Sequence, residues 1–248
     1  MREPLPTVAE RLRAVVDQDY RVWRPPRPRR AATVALLRED TGDLTVYLLR
    51  RSPTMAAAAE MHVFPGGGVE PRDGAVESAA TTRAAALREL AEETGVDLRS
   101  GVDASVEPDL VRFARWITPE VLPHRHDTDF FAAALPPGVE PEIVGTEASS
   151  AEWLRPSLAL QQAEDGRIGL LPPTLAALHL ISEFDSVPAA LAGLAQLKVV
   201  PLMPAPVRTA TGFGWELRDC EVGRVVTDPA EVGLPSDWRV NPPVGGAK

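Results

Sequence analysis

Short apolar runs separated by turn residues open the patterned part of the chain. Residues 32–37 (ATVALL) and 45–50 (TVYLLR) are rich in β-branched and aliphatic side chains, and they flank the polar stretch REDTGD. Two such runs around a glycine-containing turn favour a β-hairpin. Residues 52–61 (SPTMAAAAEM) predict a loop or a short helix. Residues 62–68 (HVFPGGG) predict a strand that runs into a glycine loop.

The clearest helical pattern lies at 81–95. Thr81 or Thr82 can cap its start, and Gly95 stands where a helix commonly ends in a left-handed glycine. Apolar positions recur at the i, i+3, i+4, i+7 spacing of a buried stripe, namely Leu87, Leu90, Ala91 and Thr94. This segment is therefore expected to pack one face on a core.

The remaining patterns alternate between strands and helices. Strands are predicted at 108–119, at 128–135 and around Trp153, and helices at 157–166, 172–184 and 186–197. This order predicts an α/β/α sandwich around a mixed sheet, with extra C-terminal helices. We expect an N-terminal arm over 1–30, a domain with a helical extension over 31–200, and an irregular proline-rich segment over 201–248 that packs on the domain. The arm ends in YRVWRPPRPRR, a basic cluster that could reach a phosphate but is more often simply solvated.

Composition narrows the class of protein. With 248 residues, 44% hydrophobic and 25% charged, the chain can bury a full core. The formal charge of −9 argues against a general nucleic-acid binder. The single cysteine, Cys220, precludes a disulfide framework within the chain, and no run approaches the ~20 apolar residues of a membrane span. We therefore expect a cytoplasmic protein with no membrane partner.

The segment 88–95 (RELAEETG) carries the candidate chemistry. Glu89, Glu92 and Glu93 are spaced i, i+3, i+4, so a helix brings three carboxylates to one side, where like charges repel. Oxygen ligands suit a hard cation such as Mg²⁺ or Mn²⁺, and the glycine run at 66–68 allows close backbone approach. A solvated acidic face is the alternative, but the upstream glycine loop favours a metal site. Arg88 can hold one carboxylate in place.

These residues resemble the Nudix box, written G-x5-E-x7-R-E-U-x-E-E-x-G-U with U aliphatic. Its second half matches fully, from Arg88 to Val96, and FPGG at 64–67 is typical of its start. The first half departs from the pattern, because Ala80 stands where the first Glu belongs. Arg88 lies 21 positions after Gly67 instead of 14, which indicates seven extra loop residues. Glu70, Asp73 or Glu77 could replace the missing Glu.

The resemblance implies the Nudix fold and a Mg²⁺- or Mn²⁺-dependent hydrolase of a nucleoside diphosphate derivative. It implies Glu89, Glu92, Glu93 and the Gly66 carbonyl as metal ligands, with Arg88 orienting a glutamate. The general base varies within the family, and Glu147 is the downstream candidate, in competition with Glu142 and Glu152. Because none of the three box glutamates is lost, hydrolysis is favoured over a silent nucleotide-sensing module.

Three further stretches point to a subgroup. Residues 48–73, 116–131 and 172–181 are similar to the peroxisomal-type coenzyme A diphosphatases and their bacterial relatives. That similarity implies coenzyme A or acyl-coenzyme A as substrate, with NADH, ADP-ribose and nucleotide sugars as alternatives, and it leaves a homodimer possible. Substrate contacts are expected from Arg50 or Arg51, Gly67 and Phe131. His62 is read as a strand residue, and HRHDTD at 124–129 as a structural turn, not a metal cluster.

Overall fold

A β-hairpin forms the centre of the structure. The computed structural model describes residues 5–55, 58–74, 78–100, 109–232 and 234. Within it, β1 (Arg29–Asp40) and β2 (Asp43–Arg51) are antiparallel. The turn between them places Thr41 and Gly42 at φ 50° and 88°, the positive values that a two-residue hairpin turn requires. The predicted hairpin is confirmed.

The described strands form one mixed sheet around this hairpin. They are β3 (Met61–Val63), β4 (Gly66–Gly68), β5 (Val111–Ile117), β6 (His126–Ala134), β7 (Ala148–Leu154), β8 (Gly169–Leu170), β9 (Pro201–Thr209), β10 (Gly212–Asp219) and β11 (Arg224–Val225). Their order is β11-β10-β9-β5-β6-β1-β2-β3-β8, with β4 beside β1 and β7 beside β2. Pairing of β1 with β6 is parallel.

β1 and β2 diverge at one end of the sheet, and this divergence positions the glycine loop. Val63 pairs with Leu49 on β2, whereas Gly66 pairs with Thr33 on β1. The chain therefore crosses from one strand to the other through Phe64 and Pro65. The Pro65 carbonyl accepts hydrogen bonds from the Val34 N–H and the Thr33 hydroxyl, both at 2.8 Å, which fixes the crossing.

Helices cover both faces of the sheet. They are α1 (Val8–Val16), α2 (Ala79–Thr94), α3 (Pro156–Glu164), α4 (Pro172–Ser182) and α5 (Val187–Leu194). Alternate residues of β1 feed two cores, since Val34 and Leu36 pack under α2 whereas Ala35 and Leu37 pack on the side of α4 and α5. Full burial of a valine or leucine side chain such as Val34, Leu36 or Leu37 contributes about 1.5–3 kcal/mol. The α/β/α sandwich predicted from the sequence is confirmed.

The ends of α2 are set by local chemistry. Ser78 caps its start, and the Ser78 hydroxyl accepts the Thr81 N–H at 3.1 Å, so the helix begins earlier than a cap at Thr81 or Thr82 would allow. Gly95 ends it in the left-handed conformation at φ 71°, and its N–H donates to the Ala91 carbonyl at 2.9 Å. The predicted C-terminus is confirmed, and the predicted N-cap is wrong by three or four residues.

The N-terminal arm is partly helical and docked. Thr7 and Glu10 form a capping box at the start of α1, a T-x-x-E signal that is present in the sequence. Trp23 is only 7% exposed, and its Nε1–H donates to the Glu120 carbonyl at 2.8 Å. Arg11 Nε donates to the Val121 carbonyl at 2.7 Å. The prolines and arginines of the arm favour an extended chain, and that expectation is wrong for this part, which is helical and docked.

The segment after residue 200 continues the sheet. β9 and β10 pair antiparallel over their whole lengths, and β9 pairs with β5 through Pro201 and Leu202 only. Beyond that short pairing, one edge of β9 has no neighbouring strand to which its N–H groups must donate. Proline, which has no N–H, is therefore tolerated at positions 204 and 206. The prediction of an irregular segment is wrong for 201–219. The division of the chain into an arm, a domain and a C-terminal segment stays a prediction.

No single helix among the described residues is both long and apolar enough to cross a membrane. α4 and α5 reach the required length and composition only as a pair, which is bent by 115°. Their apolar residues pack on the sheet, where Leu178, Ile181 and Leu194 are fully buried.

Candidate functional site

The glycine loop lies against two carboxylates of α2. The Gly66 N–H donates to Glu93 Oε2 at 2.7 Å. A Cβ on Gly67 would come within 2.5 Å of Glu89 Oε1, and one on Gly66 within 2.3 Å of the Ala32 carbonyl oxygen. A side chain at position 66 would collide with β1, and one at position 67 would push the Glu89 carboxylate away, so glycine at both positions keeps the loop close to β1 and to α2.

Arg88 is held by four groups at once. Its Nε and Nη2 donate to Asp73 Oδ1 and Oδ2, both at 2.9 Å, and Nη2 also donates to the Gly68 carbonyl at 2.9 Å. Its Nη1 donates to Glu89 at 2.8 Å and to Glu92 at 3.0 Å. Bidentate pairing of this kind fixes the guanidinium plane. Arg88 thereby sets the position of Glu89 and Glu92, as the sequence implied.

Asp73 is the carboxylate that takes the place of the missing box glutamate. It ends a short 3-10 helix (Pro71–Asp73), its side chain is 4% exposed, and the hydrogen bonds from Arg88 lower its pKa. Glu70 instead pairs with the exposed Arg72 at 2.7 Å. Glu77, the third candidate, lies outside the described residues, and Ala80 is exposed in the first turn of α2.

Buried negative charge collects beside the loop. Burial raises the pKa of Glu93 to about 7, and the charges of Glu89 and Glu147 add to this rise, whereas the Gly66 N–H and Arg51 oppose it. Burial also raises the pKa of Glu89, against the hydrogen bond from Arg88. Carboxylates in this setting call for a positive partner, because burying an unpaired charge is costly.

The donor set fits a hard divalent cation. As the described residues stand, no three His, Cys, Asp or Glu side chains are arranged to hold a metal ion, and Arg88 already pairs with Glu89 and Glu92. However, the atoms at the loop that could bind a metal are all oxygens, and the carboxylates of Glu89 and Glu93 lie against glycine backbone. Oxygen-only sites of this kind suit Mg²⁺ or Mn²⁺.

Of the three downstream acids, Glu147 is the one whose charge is felt by Glu93. It lies immediately before β7, is exposed, and its charge raises the pKa of Glu93. Glu142 donates its backbone N–H to the last turn of α2 at 2.9 Å. Glu152 pairs with the buried His62 at 3.2 Å. Neither the contact of Glu142 nor that of Glu152 involves Glu89 or Glu93.

The two arginines at the end of β2 have different surroundings. Arg51 lies near enough to Glu93 for its charge to lower the pKa of that carboxyl. Arg50 pairs with Glu60 at 2.8 Å, and both side chains are exposed. The structure therefore brings Arg51, and not Arg50, toward the candidate site.

Two further predictions have clear outcomes in the geometry. Phe131 is 3% exposed and packs in the core under α2 with Leu87 and Leu90, so the prediction that it contacts substrate is wrong. The structural turn predicted at 124–129 is wrong from His126 onward, because residues 126–129 belong to β6, where Asp127 and Asp129 form ion pairs with arginines. Two of those arginines, Arg112 and Arg115, stand in no motif or spacing that would mark them as site residues.

Comparison with protein-family models gives one domain. The model for the NUDIX domain matches residues 27–172, which is more than half of the chain and includes the glycine loop and all of α2. In the crystal structure of a NUDIX hydrolase from Alicyclobacillus acidocaldarius the sequence identity is 26%, with a TM-score of 0.59. The alignment covers 67% of this chain and 96% of that one.

Two curated relatives match at lower coverage of their own lengths. The nudix hydrolase 7 of Caenorhabditis elegans is 27% identical, over 62% of this chain and 61% of its own. The m7GpppN-mRNA hydrolase of Homo sapiens is 28% identical, over 74% of this chain and 60% of its own. The matched part therefore spans about three-fifths of each relative.

Proposed function

The chain belongs to the Nudix family, whose enzymes generally use divalent metal ions, and on that premise we propose that it is a Mg²⁺- or Mn²⁺-dependent hydrolase. Its substrate is a nucleoside diphosphate derivative, cleaved at the diphosphate linkage. The observation that carries this proposal is the placement of Glu89 and Glu93 against the bare backbone of Gly66 and Gly67. No other described group of carboxylates combines that approach with a held arginine.

The roles proposed for the site residues are those that the family resemblance implies, and the contacts of Arg88 support them. Glu89, Glu92 and Glu93 would hold the cation, together with the Gly66 carbonyl. A bound cation supplies positive charge to the diphosphate and acidifies a coordinated water. Arg88, fixed by Asp73, orients Glu89 and Glu92 before substrate arrives.

Glu147 is proposed as the general base. It would accept a proton from the attacking water as the new bond between oxygen and phosphorus forms. The bond from that phosphorus to the bridging oxygen breaks, and the two products are phosphate monoesters. Support comes from its place just before β7 and from its charge, which raises the pKa of Glu93. Arg51, whose charge lowers the pKa of the same carboxyl, would pair with a substrate phosphate.

Coenzyme A or acyl-coenzyme A is the substrate proposed first, on the resemblance of residues 48–73, 116–131 and 172–181 to the coenzyme A diphosphatases. The purified chain is to be assayed with Mg²⁺ or Mn²⁺ on both compounds. NADH, ADP-ribose, a nucleotide sugar, a dinucleoside polyphosphate and an m7GpppN-capped RNA complete the panel, the last because of the human relative. Hydrolysis that stops on chelation, and in Glu93→Gln, is the expected result.

The matched control for Glu93→Gln is Glu164→Gln. Glu164 is exposed at the end of α3, and its charge can be removed without touching the loop. No turnover of any compound, together with tight binding of one of them, would reject the hydrolase and support a nucleotide-sensing module instead.

A further inference from the structure

A second, basic cleft opens beside the glycine loop. It has a volume of about 780 Å³, within the usual range for small-molecule sites. Its charged lining consists of five arginines and two aspartates, namely Arg27, Arg29, Arg30, Arg112, Arg115, Asp127 and Asp129. Three of these arginines belong to the cluster RPRR at the end of the N-terminal arm.

Buried aspartates fix the floor of this cleft. Arg30 bridges the pair, with Nη1 at 2.6 Å from Asp127 and Nη2 at 2.5 Å from Asp129. Arg115 makes a bidentate contact with Asp127, at 2.7 and 2.6 Å through Nε and Nη2. Arg112 uses the same two nitrogens on Asp129, at 2.8 and 2.6 Å. The Nη1 groups of Arg112 and Arg115 take no part in these ion pairs.

A β-bulge gathers these side chains on one face. Arg112 and Arg115 are three positions apart, which would place them on opposite faces of a regular strand. The register of β5 shifts between Arg112 and Ala114, so that Arg112 pairs with Phe131 and Arg115 with Asp129. Both arginines therefore project to the α2 side of the sheet.

The cleft carries an excess of positive charge. Its two aspartates offset only two of the five arginines, which leaves a formal charge of +3 on the lining of a chain whose total is −9. Arg27 and Arg29 are exposed and have no ion-pair partner among the described residues. A network that served stability alone would not need these two additional cations. Ser78 and Ala79, at the positive end of α2, complete the rim.

The cleft and the glycine loop share one face of the sheet. Gly67 pairs with Ala32, and Arg30 lies two residues earlier on β1, roughly 7 Å along the strand. Val69, next to the loop, lines the cleft and donates its N–H to the Arg30 carbonyl at 2.9 Å. Along α2, Ala79 and Glu89 are roughly 15 Å apart. A phosphate bound in the cleft would therefore lie on the same face of the sheet as a diphosphate bound at the loop.

We propose that this cleft binds a phosphomonoester which the substrate carries at a distance from the scissile diphosphate. The inference rests on the proposed diphosphate hydrolysis at the loop. Arg27 supplies the charge that meets the phosphate, and Arg30, Arg112 and Arg115 form the rigid floor. Arg29 lines the cleft where β1 begins and adds positive charge there, although strand alternation turns its side chain away from that of Arg30. Guanidinium groups suit this task, because their fork of N–H donors matches phosphate oxygens.

The test compares substrates that differ only by one phosphate. Coenzyme A is paired with 3′-dephospho-coenzyme A, and NADPH with NADH, so the two pairs distinguish a 3′-phosphate from a 2′-phosphate. The full chain should prefer the phosphorylated member of at least one pair by roughly 10-fold or more in kcat/KM, as expected for a charge-assisted contact. Equal kcat/KM values within both pairs would overturn the inference.

The variant Arg27→Ala/Arg29→Ala removes the two unpaired charges and leaves the buried network in place. It should raise KM for the phosphorylated member roughly 10-fold, leave kcat unchanged, and leave the member that lacks the phosphate unaffected. Arg13→Ala/Arg99→Ala is the control, because both of those arginines are exposed and neither lines the cleft. An equal loss on both members of a pair, or an equal loss in the control, would overturn the inference.

Failure of the proposed function has a separate signature. If the chain hydrolyses neither member of either pair, calorimetry with the same four compounds tests independently whether the cleft binds the additional phosphate. Tighter binding of a phosphorylated member, lost in Arg27→Ala/Arg29→Ala, would support the cleft without hydrolysis. Equal binding within each pair would reject it.

Discussion

Asp73 offers the sharpest test of how the site is built. Asp73→Asn keeps the shape of the side chain but removes its charge and one of its two acceptor oxygens. The bidentate contact with Arg88, now 2.9 Å at both oxygens, is reduced to a single neutral hydrogen bond. Arg88 keeps its hydrogen bonds to Glu89, Glu92 and the Gly68 carbonyl. Its guanidinium is therefore held less firmly but is not left unpaired.

Two magnitudes follow from this geometry. The Asp73 side chain is 4% exposed, but three other groups still satisfy Arg88, so the loss of stability should be about 1–3 kcal/mol, less than for a fully orphaned buried charge. Groups that orient metal ligands typically contribute 10–100-fold to metal affinity or activity. A released Arg88 would compete more strongly for Glu89 and Glu92, so the concentration of Mg²⁺ at half-maximal activity should rise by about that factor.

The measurement is a Mg²⁺ titration of the hydrolysis rate, with unfolding followed in urea. Saturating metal should restore much of kcat, because the ligands themselves are intact, and Asp73→Glu should behave better than Asp73→Asn. Glu164→Gln is the control, since Glu164 is exposed at the end of α3 and lies outside the loop and α2. If the Mg²⁺ titration of Asp73→Asn is the same as that of wild type, or the same as that of Glu164→Gln, Asp73 has no part in the site.

Three further predictions concern the loop, a buried histidine and the two β2 arginines. Gly67→Ala should lower kcat about 10–100-fold in steady-state kinetics, because its Cβ would displace the Glu89 carboxylate. Gly68→Ala is the control and should leave kcat unchanged, because its Cβ meets nothing within 4 Å. Burial lowers the pKa of His62, so the unfolded chain takes up its proton first as the pH falls below about 6.5. Stability in urea should then drop more between pH 7.5 and 5.5 in wild type than in His62→Gln, and equal drops would contradict a neutral buried His62. Arg51→Ala should lower kcat/KM by about 10-fold and Arg50→Ala by less than about 2-fold, an order that the reverse result would refute.

Local patterns predicted the centre of the molecule well. The hairpin, the helix that carries the carboxylates and its glycine terminus all depend on short-range signals such as a turn glycine, a 3.6-residue period and a positive φ at Gly95. The same signals failed for β9, where Pro201, Pro204 and Pro206 read as irregular chain. Prolines are tolerated in this strand because β5 stops pairing with β9 after Leu202. That limit is set by the tertiary structure and cannot be read from a local sequence pattern.

The parts of the site that the sequence left open share a physical cause. Three acids could have replaced the glutamate missing at Ala80, and only the path of the loop selects Asp73 for Arg88. The arginines of β5 escaped notice because a spacing of three predicts opposite faces, and a bulge alone brings Arg112 and Arg115 together. Residue types and spacing therefore could not predict which acid contacts Arg88 or which arginines share a face, because both depend on contacts between segments that are distant in the sequence.

The origin of the carboxylate that holds Arg88 has a consequence for engineering. Because Asp73 is supplied by the loop and not by the helix, the loop and the helix cannot be exchanged independently. A shorter loop grafted between Gly68 and Ser78 would remove the counter-ion, and the graft would have to include Ala80→Glu to restore it from the helix. Loop length in this protein is thus tied to charge at position 80, and any redesign of substrate preference through the loop must change both together.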